Sequence, residues 1–230
     1  MRNCLLALTA TLFTTICCAQ RKYEIGLEVG LTNAFFRIYD EGDNLRNIPR
    51  RSWIGGMNFR LNGKEIFFYE AALLRAKYAD GVKLKQEVGY SAGNSDQVVM
   101  LALRAGYKLK LGEATSIAPV VGVTAAYKTW NDKSGLSITS LGVMGSGAYK
   151  EVRPHVLNKN FFPLVQGGLQ FSWRFSRSVR FCFGVDYYQG LTTHKIFDVN
   201  YRINNAPVQT ATLEGKGSFI NYNGGFKFLF

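Results

Sequence analysis

An all-β fold is predicted for this chain: an eight-stranded antiparallel up-and-down transmembrane β-barrel with short periplasmic turns and long extracellular loops. Three observations predict it. Apolar and polar residues alternate with a period of two in eight separate segments, and the connections between those segments are alternately short and long. The 230 residues include 14% aromatics and 24 glycines, yet beyond the first twenty there is no apolar run of the roughly 18 residues that a spanning helix needs. A two-residue period places a strand between two unlike environments, because successive side chains point to opposite faces.

The chain opens with a Sec-type signal. Arg2 supplies the positive start, Leu5 to Cys18 the apolar stretch, and cleavage is expected after Ala19, so that residues 20–230 form the barrel domain. Neither Cys17 nor Cys18 has the small and aliphatic residues before it that a lipid-modified cysteine requires. Three of the four cysteines leave with the signal, which leaves Cys182 alone and excludes an intrachain disulfide or a cysteine-based metal site.

The eight strands follow in order. Strand one, Tyr23 to about Phe36, sets Tyr23, Ile25, Leu27, Val29 and Leu31 against Glu24, Gly26, Glu28 and Gly30. Strand two, Arg51 to Leu61, sets Trp53, Met57, Phe59 and Leu61 against Ile54, Gly56, Asn58 and Arg60. Strand three, Ile66 to Tyr78, is apolar on both faces; Glu70 is expected inward, Tyr69 and Leu73 outward. Strand four alternates Val99, Leu101, Leu103, Ala105, Tyr107, Leu109 and Leu111 with Met100, Ala102, Arg104, Gly106, Lys108 and Lys110. Strand five places Ile117, Pro119, Val121, Val123, Ala125 and Tyr127 opposite Gly122, Thr124, Ala126 and Lys128. Strand six places Val165, Leu169, Phe171, Trp173 and Phe175 opposite Gln166, Gly168, Gln170, Ser172 and Arg174. Strand seven pairs Val179, Phe181, Phe183, Val185 and Tyr187 with Arg180, Cys182, Gly184 and Asp186. The last strand, Ile220 to Phe230, puts Ile220, Tyr222, Phe226, Phe228 and Phe230 on one face and Asn221, Asn223, Gly225, Lys227 and Leu229 on the other.

Connections after strands two, four and six are short (Asn62 to Glu65, Gly112 to Thr115, Ser176 to Ser178). Those after strands one, three, five and seven are long: about Arg37 to Arg50, Ala79 to Ser95, Trp130 to Asn160 and Thr192 to Gly217. That asymmetry is the outer-membrane one, and each strand has the roughly 9–11 residues that a tilted crossing needs. A soluble eight-stranded barrel would instead turn the apolar set inward around a ligand. Here that set carries Phe171, Trp173, Phe175, Phe181, Phe183, Phe226 and Phe228, too bulky for a narrow lumen, while the polar set carries Gly26, Gly30, Gly56, Gly106, Gly122, Gly168, Gly184 and Gly225. Aromatics fall at both ends of the strands: Tyr23, Tyr107, Phe175 and Phe230 below, Trp53, Tyr78, Tyr127 and Trp130 above.

The lumen is then expected to hold Glu24, Glu28, Glu70 and Asp186 facing Arg60, Arg104, Lys128, Arg174 and Arg180, as a charged plug rather than a general pore. The formal charge is +12, and Lys64, Lys108, Lys110, Arg174, Arg177, Arg180 and Lys227 are placed at the periplasmic rim, where anionic lipid or a protein partner could meet them. No nucleic-acid partner is expected.

Three segments carry a family resemblance: Ala118 to Tyr127 (A-P-V-V-G-V-T-A-A-Y), Gly184 to Leu191 (G-V-D-Y-Y-Q-G-L) and the terminal G-F-K-F-L-F, together with the Ala19-Gln20 junction. With these the chain resembles the Bacteroidota outer membrane protein β-barrel families, including the PorT-like group, and the OmpA-like eight-stranded barrels. The resemblance implies outer-membrane location, contact with outer-membrane lipids and lipopolysaccharide, recognition of the Phe230 terminus by the barrel assembly machinery and, through the PorT-like group, an accessory part in type IX secretion. It carries no catalytic motif. Some eight-stranded barrels modify lipid A with His and Ser near the outer rim. The two histidines here, His155 and His194, and the nearby Ser137, Ser140, Thr192 and Thr193, show no spacing that ties a nucleophile to a base. The expectation is therefore a structural or binding scaffold without enzymatic activity, cofactor, metal or catalytic residues, acting through its extracellular loops or its periplasmic rim.

Overall fold

A computed structural model describes residues 23–47, 51–63, 66–79, 82–85, 95–130, 149–202 and 206–230. The signal read in residues 1–19 lies outside them. The described residues contain thirteen strands and no helix: β1 (Tyr23–Asp40), β2 (Leu45–Asn47), β3 (Arg51–Asn62), β4 (Phe67–Ala79), β5 (Val82–Leu84), β6 (Ser95–Tyr107), β7 (Leu109–Lys110), β8 (Thr115–Trp130), β9 (Tyr149–Asn158), β10 (Phe161–Arg174), β11 (Val179–Gly190), β12 (Lys195–Arg202) and β13 (Gln209–Leu229).

Eight of them close a barrel in the order β1-β3-β4-β6-β8-β10-β11-β13, with β13 pairing back onto β1. Every neighbour in that ring is antiparallel, and the order around it follows the chain once the short strands of the connections are set aside, which is up-and-down topology. The seam runs from Glu24 opposite Leu229 to Asp40 opposite Ala211. Closure pairs the backbone of every stave on both sides, which a hydrocarbon environment demands.

The alternation sorts as anticipated. Leu27, Val29, Met57, Tyr69, Leu73, Leu103, Val121 and Phe226 are at least half exposed on the outer wall. So large a continuous apolar surface is incompatible with water and matches a lipid-facing band. Across that wall Glu24, Glu28, Asn58, Arg60, Glu70 and Arg104 are buried in the lumen. Strand three, ambiguous in sequence, is β4, with Glu70 opposite both Arg60 and Arg104 and with Phe68, Ala72, Leu74, Ala76 and Tyr78 filling the interior. The inward glycines leave room where it is short: a side chain at Gly106 would collide with the Phe68 ring, one at Gly56 or Gly225 with a neighbouring backbone. The outward Gly167 faces open space instead.

The structure departs from the sequence expectations in four places. Bulky rings do enter the lumen: Phe68, Tyr78, Phe162, Tyr188 and Phe219 are buried there, so Tyr78 belongs to the core rather than to the outer aromatic girdle. Arg174 is exposed at the periplasmic end and donates to the Glu113 carbonyl, outside the lumen. Lys227, placed at the rim, is buried against Glu70, and Lys108 reaches in toward Glu24. The expected loops are not wholly loop: β1 runs four residues past Phe36, β9 and β12 are strands, and β13 begins at Gln209, so 209–217 is strand.

Candidate functional site

The lumen is filled in two tiers. In the lower tier, Glu70 accepts from Arg60 (2.8 Å from Nε), Arg104 (3.0 Å) and Lys227. Glu28 takes both terminal nitrogens of Arg104 at 2.9 and 3.0 Å and the Asn58 amide at 3.0 Å. Glu24 joins Arg180 at 2.5 Å, with Lys108 at 3.8 Å and Arg60 at 4.0 Å. Arg60 also lies 3.7 Å from the centre of the Phe68 ring, which covers it as a cation–π partner. An uncompensated buried charge costs several kcal/mol, so each member depends on the others. Sequence reasoning brought Glu24, Glu28, Glu70, Arg60, Arg104 and Arg180 together correctly; Asp186 lies in the same wall and accepts from Asn223 at 2.6 Å.

The upper tier is apolar. Tyr78, Phe162, Tyr188 and Phe219 stack or meet edge-on with centroids 4.2 to 6.2 Å apart, over Ile54, Leu74 and Met100. The Tyr188 hydroxyl accepts from Arg104 at 3.0 Å and so ties the two tiers together. Above them Asp96 holds Lys128 at 3.2 Å and Lys195 at 3.3 Å. Lys128 is thus lumenal as expected, but its partner Asp96 was not foreseen.

At the mouth β13 changes partner. Its lower part, Phe219 to Phe228, pairs with β11, and its upper part, Gln209 to Gly215, with β12, while β1 stays on its other edge. The change is made at a bulge over Gly215–Gly217, where the β1–β13 register shifts and Gly217 takes a φ of 76°. His194 seals this corner. Its ring stacks on Phe162 (4.2 Å, 17° between planes), and its backbone N–H donates to the Gly215 carbonyl at 3.0 Å. Expected as a surface residue, it is only 6% exposed, with Nδ1 unpaired. Burial, followed by the charge of Lys128, pushes its imidazole down to about 4 against the opposing pull of Asp96.

Beyond the corner β1, β13, β12 and β9 continue as a four-stranded sheet above the barrel. It has a core of its own in Leu45, Val199, Tyr201, Ala211 and Leu213, with Ile38 and Phe197 packed against it. Asp40 anchors the β1–β2 turn: its carboxylate accepts from the Tyr201 hydroxyl (2.6 Å) and from the backbone N–H of Gly42, Asn44 and Leu45. Burial alone would raise that carboxyl, but these hydrogen bonds outweigh it and hold it below the usual range, while burial and the same bond push Tyr201 up to about 12.

Of the residues weighed for catalysis, only some lie among the described residues. Thr193 donates to Glu214, His194 is buried, Ser137 and Ser140 lie outside the described residues, and so does the side chain of His155. Among the described residues no group of three His, Cys, Asp or Glu is placed to hold a metal ion.

No protein-family model and no curated protein matches the chain. Solved structures do. OprG, an outer membrane protein from Pseudomonas aeruginosa, aligns with a TM-score of 0.57 over 91% of this chain and 95% of its own, at 12% identity. A major outer membrane protein from Thermus thermophilus aligns over 92% of this chain and 100% of its own at 12% identity, with a TM-score of 0.48. The fold is that of an outer-membrane β-barrel. Ala118–Tyr127 and Gly184–Leu191 are largely pieces of β8 and β11, so the alternation of a stave accounts for both segments.

Proposed function

We propose that this protein is a sealed outer-membrane scaffold without enzymatic activity, which acts by presenting the sheet above its mouth to a binding partner. One observation carries the reading. The two strands that close the barrel, β1 and β13, continue upward into a sheet with its own apolar core, while the lumen below is occupied by ion pairs and rings. Material beyond what closure requires, held rigidly on a scaffold, is where binding resides in such folds. An accessory part in secretion, implied by the PorT-like resemblance, is a narrower form of the same reading; unchanged secreted cargo in a deletion strain would remove it.

The test uses the deletion strain's own phenotype. A barrel in which residues 192–216 are replaced by a short turn keeps β11 and the lower half of β13, and it is expected to insert normally but fail to restore that phenotype. Full restoration by the shortened barrel would overturn the reading. Proteoliposomes carrying the intact protein are expected to swell no faster in small sugars than protein-free vesicles.

A further inference from the structure

The outer wall has a trough on one side and a ridge of rings on the other. The trough, of about 630 Å³, opens outward over the joint between β4 and β6. Ala71 and Ala105, diagonal neighbours across that joint, form its floor. Phe59, Tyr69, Leu103 and Val121 stand around them, each at least 41% exposed. Across the barrel, Phe171, Trp173, Phe175, Phe181, Phe183 and Phe226 run together over β10, β11 and β13. Ring centroids are 5.0 Å apart for Phe171 and Phe183, 4.1 Å for Trp173 and Phe175, and 5.3 Å for Phe181 and Phe226. Phe181 joins these pairs, 6.4 Å from Phe175 and 6.5 Å from Phe183. Trp173, Phe175, Phe183 and Phe226 project from this ridge, 44–54% exposed.

Trough and ridge lie at matching depth. Tyr69 is the third residue of β4 and Ala105 the third from the end of β6, while Phe171 is the fourth from the end of β10 and Phe183 the fifth of β11. All four are thus close to the periplasmic ends of their staves. In the ring of eight, β11 is three staves from β6 and four from β4, so the two features face nearly opposite ways. Apolar surface alone does not drive association in lipid; close packing of a large side chain over small ones does. An acyl chain filling a fixed trough gives up its own freedom, whereas rings already held by their neighbours give up little. We propose that the trough over Ala71 and Ala105 receives the Phe183 and Phe226 ridge of a second copy of this chain, side by side in the membrane. A contact between unlike, nearly opposite faces does not close on itself in a pair, so it builds open rows of barrels. This does not depend on what the sheet above the mouth binds.

The test counts copies by single-molecule photobleaching of the full barrel, labelled on an amino-terminal tag, in planar phospholipid bilayers. The unaltered protein is expected to give spots of three or more copies. Ala105→Phe fills the trough and Phe183→Ala/Phe226→Ala cuts the ridge; each alone is expected to give at least about fivefold fewer multi-copy spots. Mixed together, the two variants are expected to form pairs and nothing longer, because one keeps the ridge and the other the trough. Heat-dependent gel mobility establishes each variant as a closed barrel before counting; if one does not fold, Ala71→Leu or Phe183→Ala replaces it. Single copies of the unaltered protein at every density would mean that lipid alone covers the wall, and would overturn the contact. So would a variant that assembles like the unaltered protein, or a mixture that stays single. Single-copy variants that still restore the deletion strain's phenotype would leave the reading of the sheet above the mouth untouched.

Discussion

Glu70 answers three cations at once, and no other lumenal acid among the described residues does so at such close range. Replacing it with Ala leaves Lys227 without its close carboxylate and takes from Arg60 and Arg104 one of the two acids each contacts in a closed interior, and a broken buried pair costs about 3–5 kcal/mol. Urea unfolding in micelles is expected to show a loss of that size for Glu70→Ala; a change below about 1 kcal/mol would mean that water reaches the network. Glycine positions give a matched pair. Gly106→Val drives a methyl group into the Phe68 ring and through it disturbs Arg60, for an expected loss of about 1–3 kcal/mol. Gly167→Val, on the open outer wall, is expected to be close to neutral. At this scale much was legible, because alternation alone assigned Glu24, Glu28, Arg60 and Arg104 inward, while Glu70, in a strand apolar on both faces, was placed inward by its charge. Lys227 was misplaced because a terminal strand's height relative to its neighbours depends on register across the seam, which no single segment reveals. Tyr78 was misplaced because aromatics serve both girdle and core.

The extracellular strands depend on acid-sensitive groups. His194 is neutral in the fold down to about 4 and titrates at its ordinary 6.5 when released, so the unfolded state binds the extra proton. Stability at the corner is therefore full above about 6.5, falls as the pH drops toward 4 and levels off below it, a total of about 3 kcal/mol. Asp40, held below its ordinary 3.8, adds a further loss at still lower pH. Hydrogen exchange in β12 and upper β13 is expected to quicken between pH 7 and 4 while β4 and β6 stay protected, and His194→Phe should flatten the upper part of that response. A uniform response across all strands would contradict it. These strands were readable in principle: Ala211, Leu213 and Gly215 alternate with Thr210, Thr212, Glu214 and Lys216. They passed for loop because a sheet in water needs only one modest apolar face, and small residues supply it without the aromatic signal of the lipid-facing staves. The bulge at Gly215–Gly217 has a weaker signal still, two glycines around a lysine.

As a whole the molecule is a rigid cylinder with its interior occupied and its decoration above. An intact barrel of this kind resists SDS until heated, so unboiled and boiled samples are expected to migrate differently on a gel, and identical mobility would count against the closed barrel. The seam has a consequence for membrane traffic. β1 and β13 are paired from Glu24 opposite Leu229 to Asp40 opposite Ala211, a longer run than any other neighbouring pair of staves in the described residues. Barrels that let a lipid or an emerging polypeptide slip out sideways do so by parting their first and last staves. Here that joint owes its extra length to the pairs above the bulge, Arg37 to Asp40 with Glu214 to Ala211, so cargo would meet a hinge clamped in the water above the place where a lateral gate would have to be.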